Sequence, residues 1–408
     1  MSRKPSLTPF KDLNTCLKDN ILRYIALDTE FTRRTTYWPI LELVQLKTPF
    51  GYCLVDAAQE DFDASIFVEK FKDPATLFLV HSGRQDIEIF FHKIKVLPEN
   101  LFDTQIAACV CGYGESCSYS DLVEKLLGVV LDKSLQNKTW QIRPFTPSQL
   151  SYALDDVRYL YPLYEILYKE LVEKNRLELF KELMEKFYDP SSLIQDQNTV
   201  WERFLPSFKT QGLRVKQHLK RFKALMKLRE EIAQEENLLR KNVLSDLAIL
   251  KICRMKVFSL EEIESILERF SDSEALPPAS PVPPPASPAK EEAFKNESAK
   301  SGNTLAQQIF NAFESLPKLT KSKPSGPIPQ DLASEQQEAF TFISTELSVV
   351  AKNLNIPKKW LAANPDLIQA ALWLLDFDKE LPKRWVFSYM DLKKMKDDFH
   401  LKATDEPK

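Results

Sequence analysis

The sequence predicts an α/β domain, a mixed sheet with flanking helices, followed by all-α domains. Three observations predict it. Strand-like runs rich in Leu, Val, Ile and aromatics alternate with helical signals through the first half. From Pro147 onward the apolar residues recur at helical spacing. The segment LPPASPVPPPASPAKEEAFKNESAKSG then breaks every periodicity before a further helical block.

In chain order, ILRYIALDTEF, LELVQLK, GYCLVDA and ATLFLVH read as strands, and helices begin near Asp86, Thr104 and Ser120. Strands in quick succession followed by strand–helix alternation give a mixed sheet with helices packed on it. In TPSQLSYALDDVRYLYPLYEIL, Thr146 is placed to cap a helix that starts at Pro147. Leu150, Leu154, Val157, Tyr161 and Tyr164 make its apolar stripe. Pro162 is expected to kink it, because proline lacks the N–H and crowds the carbonyl four residues back. The boundaries that follow are a first domain over 1–196, a helical domain over 197–272, a Pro/Ala/Ser-rich linker over 273–303 and a second helical domain over 304–408.

Composition limits what such a chain does. The 408 residues allow two or three domains, and the net charge of −3 neither advertises nor excludes a nucleic-acid partner. No apolar run approaches a membrane span and MSRKPSLTPFKDLN has no signal-peptide core, so a cytoplasmic protein with no membrane contact is expected. Six cysteines in a chain this long do not make a disulfide scaffold, and Cys109, Cys111 and Cys117 lack a fourth ligand for zinc. With 8 glycines and neither G-x-G-x-x-G nor a P-loop, no nucleotide cofactor is expected.

The chemistry begins at YIALDTEF, where Asp28 and Glu30 stand two residues apart on a strand and so face one side. Either that end of the strand is exposed and the pair is incidental, or a cation lies between them. Asp86, early in the helix of HSGRQDIEIF, and Tyr152 and Asp156, spaced i, i+4 off the apolar stripe, supply partners. Such carboxylates suit hard divalent cations, and two ions together stabilise both oxygens of a phosphodiester displacement. A glycosidase pair would leave the fourth acid and the tyrosine without a role.

ALDTEF, HSGRQDIEIF and YALDDVRYL together resemble the three exonuclease motifs of the DEDD superfamily, in the subclass with tyrosine in the third. ALDTEFTRRTTYWPILELVQL, LFDTQIAA and LDKSLQNKTWQIRPFT are similar to the ribonuclease D family over roughly residues 20–170. The resemblance implies a ribonuclease H-like fold and two Mg2+ or Mn2+ ions. It implies that Asp28 bridges both metals, that Glu30 and Asp156 complete one site, that Asp86 holds the other partly through water, and that Tyr152 orients the attacking water. Asp155 reads as a solvated charge and His81 as a structural histidine rather than a catalytic one. Gln45 could touch substrate, but a polar strand end is the preferred reading. Trp140 and Arg143 are candidates for RNA stacking and phosphate pairing, or for packing of their loop.

In the helical half, RVKQHLKRFKALMKLR sets Lys216, Lys220, Lys223 and Lys227 in a row beside the apolar stripe Val215, Leu219, Phe222 and Met226. That row is either a track for a phosphate backbone or a solvated face. LREEIAQEENLLRKNVLSDLAIL resembles the HRDC helical domain through Arg229, Glu230, Ala233, Asn237, Val243 and Asp246, although prolines usual there are missing. The block after the linker is a candidate second HRDC-like domain. The resemblance as a whole implies an exoribonuclease acting on RNA 3′ ends, including tRNA precursors, and releasing nucleoside 5′-monophosphates. The alternatives are a DNA 3′–5′ exonuclease and a non-catalytic RNA-binding protein on the same fold. Absence of a polymerase or helicase motor favours RNA, and the intact acid set favours catalysis.

Overall fold

In the computed structural model of this protein the described residues are 23–132, 139–256, 259–271, 304–314 and 330–361, with a few isolated positions besides. The linker 273–303 lies outside them. They fall into two compact units: 23–30, 41–193 and 330–361 form the first, and 31–40 with 194–314 form the second.

The first unit is built on a mixed five-stranded sheet of order β3-β2-β1-β4-β5. Its strands are β1 (Tyr24–Thr32), β2 (Ile40–Thr48), β3 (Gly51–Asp56), β4 (Leu77–Val80) and β5 (Leu101–Asp103). β2 and β3 run antiparallel, while β1/β4 and β4/β5 are parallel, with Ile25 opposite Phe78 and Phe78 opposite Leu101. The three-residue β5 is too short for a period-2 signal and is not among the strands expected from sequence. The unit's helices are α1 (Val68–Phe71), α2 (Arg84–Ile94), α3 (Thr104–Cys111), α4 (Tyr119–Leu127), α5 (Pro147–Arg158), α6 (Leu160–Glu173), α7 (Leu177–Phe187) and α8 (Pro190–Leu193).

The two faces of the sheet are packed differently. Fully buried Phe67, Phe71, Phe78 and Phe90 interlock, with Phe71 and Phe78 ring centroids 4.8 Å apart, and carry α1 and α2. A separate cluster of Leu43, Leu54, Trp140, Phe145, Leu150 and Ala153 seats α5 on β2 and β3.

The expected single kinked helix is two helices. α5 ends at Arg158 and α6 begins at Leu160, with Tyr159 between them at φ −104, ψ 1. The carbonyl crowded by Pro162 is that of Arg158, four residues back.

The second unit contains α9 (Val200–Thr210), α10 (Val215–Glu235), α11 (Arg240–Val243), α12 (Asp246–Arg254), α13 (Leu260–Ser271) and α14 (Leu305–Glu314). Phe208, Phe222, Leu225, Met226, Ile249 and Ile309 are fully buried in its core. α14 lies beyond the linker, yet Ala306, Ile309 and Phe313 join that core, so residues 304–408 do not form one block. α15 (Gln330–Leu354) and α16 (Lys358–Leu361) belong to the first unit, where Asn355 Nδ2 donates to the Gly112 carbonyl at 2.8 Å.

The residues that carry the HRDC resemblance explain themselves here. Arg229 donates to Asp246 at 2.6 Å and to the Leu244 carbonyl at 3.2 Å, fixing α10 to the start of α12. Asn237 takes the left-handed φ of 54 that ends α10, and its side chain accepts from the Trp38 N–H at 2.9 Å. The segment 31–40, which runs from the last two residues of β1 to the first of β2, is thus part of the helical unit.

Candidate active site

β1 enters the core with Ile25, Ala26 and Leu27 buried, and its C-terminal half carries the acids. By strand alternation Ala26, Asp28 and Glu30 face the side opposite Ile25, Leu27 and Thr29. α5 supplies the rest. Thr146 caps it through a capping box with Gln149, and Pro147 starts it, which fixes the register that puts Tyr152 and Asp156 one turn apart. Carboxylate oxygens of Asp28, Glu30 and Asp156 all lie within 4.8 Å of one another.

Asp86 reaches the site from another direction and stands outside that three-way grouping. It sits in the first turn of α2, and its carboxylate accepts from the Thr29 hydroxyl on the far side of β1. The turn before it is tightly held. Ser82 adopts a left-handed φ of 56, and a Cβ on Gly83 would lie 2.5 Å from that of Val80. Asp103 accepts from the Ser82 and Gly83 N–H groups at 3.0 and 3.2 Å, from the Gln105 N–H at 2.8 Å and from the Tyr188 hydroxyl at 2.7 Å. Asp103 thereby locks the start of α2 to the start of α3, a positioning part absent from the residues singled out by sequence. Its signal is nonetheless there, an Asp-Thr pair directly before an apolar helical run.

The electrostatics are those of crowded, unpaired acids. Among the described residues no Lys or Arg forms an ion pair with Asp28, Glu30 or Asp156. Burial pushes the Asp28 carboxyl well up, and the charges of Asp86, Asp156 and Glu30 push it further. Burial, then Asp156 and Asp86, lift Glu30 to about 8. Burial, then Asp155, lift Asp156 to about 7. Burial lifts Asp86 to about 6, with the Thr29 hydrogen bond opposing. Half-buried Tyr152 is raised by burial and then by Asp156, Glu30 and Asp28, so its hydroxyl stays protonated near these acids. The donor set is all oxygen and short of positive charge, which is what Mg2+ or Mn2+ requires.

Other candidates are placed as follows. Trp140 is buried, its ring 5.7 Å from Phe145 and 6.3 Å from Tyr152, so it packs the loop and offers no face for a base. Arg143 makes two 2.7 Å bonds to Asp56 and one of 3.3 Å to Glu42, and lies over Phe145, so it is committed within the domain. Of the two readings of this loop, these contacts support packing. Gln45 lies within β2, fully buried, rather than at a strand end, and its carboxamide has no hydrogen-bond partner among the described residues. His81 is bonded through both ring nitrogens, to Thr104 at 2.9 Å and to the Cys117 carbonyl at 3.1 Å, as a structural histidine is. Asp155 pairs with Arg158 at 2.7 Å. Cys109, Cys111 and Cys117 are not joined in disulfides. On α10 Lys220, Lys223 and Lys227 are exposed; Lys223 lies 3.8 Å over the Trp201 ring and Lys227 pairs with Glu231 at 3.7 Å. The side chain of Lys216 is outside the described set.

Comparison with known proteins decides the family. The 3′–5′ exonuclease family matches residues 7–172 and the HRDC domain family residues 218–271. Ribonuclease D of Granulibacter bethesdensis is 30% identical over 355 residues, covering 85% of this chain and 80% of that protein. This chain belongs to the ribonuclease D family. Ribonuclease D of Bartonella henselae is 33% identical over 229 residues, covering 56% of this chain and 55% of that protein. The crystal structure of Escherichia coli RNase D, described as an exoribonuclease involved in structured RNA processing, superposes with a TM-score of 0.68 at 24% identity over 99% of this chain. Ribonuclease D proteins are 3′–5′ exoribonucleases, and this chain joins an α/β 3′–5′ exonuclease domain to an HRDC domain. Among the described residues, no helix is long and apolar enough to cross a membrane.

Proposed function

We propose that this ribonuclease D family member is a metal-dependent 3′–5′ exoribonuclease that removes nucleotides one at a time from RNA 3′ ends and releases nucleoside 5′-monophosphates. One observation carries the reading: Asp28, Glu30 and Asp156 converge within 4.8 Å, no Lys or Arg among the described residues pairs with them, and Tyr152 stands one helical turn from Asp156. Asp28, Glu30, Asp86 and Asp156 would hold two divalent ions, Mg2+ or Mn2+. Bound there, the ions supply a water of lowered pKa and charge stabilisation at the scissile phosphate.

The chain's own residues do the rest. The tight Ser82–Gly83 turn and Asp103 keep Asp86 at the edge of the cluster. The protonated hydroxyl of Tyr152 orients the attacking water by hydrogen bonding. The lysine row on α10 is proposed to hold phosphates of the RNA body. Structured RNAs, tRNA precursors among them, are the proposed substrates, and the cytoplasm is the proposed site of action.

The test uses 3′-labelled and 5′-labelled RNA and DNA oligomers with Mg2+, with Mn2+ and with chelator. Mononucleotide release from RNA 3′ ends only in the presence of metal is expected. Preference for DNA would move the assignment to a DNA exonuclease, and binding without cleavage to a non-catalytic role.

A further inference from the structure

The geometry points to Tyr119 as a positioning residue for the Asp156 carboxylate, a claim that rests on the metal-site reading above. In an uninterrupted helix the Tyr159 N–H donates to the Asp155 carbonyl four residues back. Here it donates to the Tyr119 hydroxyl at 3.1 Å, and that hydroxyl donates to the Asp155 carbonyl at 2.9 Å. A side chain from another helix is therefore inserted into one rung of the ladder, a recognised cause of helix breaks. Pro162 does not account for this rung. It removes the donor to Arg158, whereas Tyr159 keeps its N–H and sends it elsewhere.

The position of the inserted hydroxyl matters because of what adjoins it. The Asp155 carbonyl and the Asp156 N–H lie in one peptide plane. Holding the Asp155 carbonyl thus holds the plane from which Asp156 projects toward Asp28 and Glu30. Tyr119 is itself firmly placed. It opens α4 behind the Ser118 cap, and its ring centroid lies 5.5 Å from that of His81, which is anchored through both nitrogens. The result is a helix stopped just past the acid it presents, by a hydroxyl that, among the described residues, bonds only to the helix backbone.

Tyr119→Phe keeps the ring, deletes both bonds and lets the Asp155–Tyr159 rung close. The test compares Mn2+ affinity by electron paramagnetic resonance, single-turnover cleavage of an RNA oligomer, and thermal unfolding in chelator. Residues behind metal ligands typically contribute 10–100-fold to affinity or activity, so a loss of roughly 10-fold or more in Mn2+ affinity, with a matching rate loss, is expected of Tyr119→Phe. Ser118→Ala is the control: it weakens the same helix start through the lost cap on the Asp121 N–H but leaves the inserted hydroxyl in place. It should lower stability and leave Mn2+ affinity unchanged. Unchanged affinity in Tyr119→Phe, or equal losses in both variants, would overturn the positioning role. If Asp28→Ala binds Mn2+ as well as the parent does, the metal-site reading itself has failed and takes this inference with it.

Discussion

Glu230 and Asp28 are both acids inside the protein, one in each compact unit, with opposite surroundings. Glu230 is fully buried and accepts from Arg240 at 2.6 and 2.7 Å and from the Tyr37 hydroxyl. Burial alone would raise its carboxyl, but the bonds from Arg240 and Tyr37 outweigh burial and hold it below the ordinary range. No Lys or Arg among the described residues pairs with Asp28, and burial together with three neighbouring acids raises it. Glu230, matched by Arg240, serves the scaffold, whereas Asp28, crowded by other acids, is suited to a mobile cation.

The comparison is broken most sharply by removing each acid. Asp28→Ala should abolish cleavage yet leave thermal stability in chelator no lower than the parent's, because it relieves repulsion. Glu230→Ala should do the reverse in kind, costing about 3 kcal/mol of unfolding free energy in a denaturant titration, since it strands Arg240. Residual cleavage by Asp28→Ala above a small fraction would contradict the assignment of that acid. Tyr152→Phe should slow single-turnover cleavage roughly 10²-fold with metal affinity kept, as expected of a group that orients water; an unchanged rate rules that role out.

The next effect is on stability against pH. The site carboxyls titrate higher folded than unfolded, so each favours the folded state fully below the ordinary carboxylate pKa of about 4. That contribution is lost as pH rises through the folded values of about 6 for Asp86, about 7 for Asp156 and about 8 for Glu30. In chelator the unfolding midpoint should fall over that window, and Asp28→Ala should flatten the fall. A parent midpoint that rises instead would show the acids to be paired. The smallest effect is on binding. Changing Lys216, Lys220, Lys223 and Lys227 to Gln should lower the salt dependence of structured-RNA binding by roughly 0.7–0.9 in slope per lost phosphate contact. Cleavage of a short oligomer should change little; equal loss on both substrates would make the row part of the active-site wall.

Much of this architecture is legible in the sequence, because its signals are local. Runs rich in Leu, Val, Ile and aromatics mark β1 to β4, and a capping residue followed by proline marks the start of α5. Asp28, Glu30, Tyr152 and Asp156 are legible as spacings of two and four, which fix a shared face within one element. What is not legible depends on distant parts of the chain. Neither the Tyr119 hydroxyl inside the Asp155–Tyr159 rung nor Trp38 held by Asn237 leaves a periodic trace. Trp140 and Arg143 stay ambiguous in sequence for a related reason: residue types suited to nucleic acid are equally suited to a buried ring and a bidentate ion pair, and the partners, such as Asp56 for Arg143, lie far off in sequence.

The most direct measurement is a calorimetric titration of the metal-free protein with Mn2+ at pH 7, in two buffers of different ionisation enthalpy. Carboxyls raised by burial and crowding must release protons to take up a cation. Saturable binding with net proton release, lost in Asp28→Ala and kept in Glu230→Gln, is the predicted result. Binding without proton release, or binding that survives Asp28→Ala, would contradict the claim that these unmatched acids are held for metal.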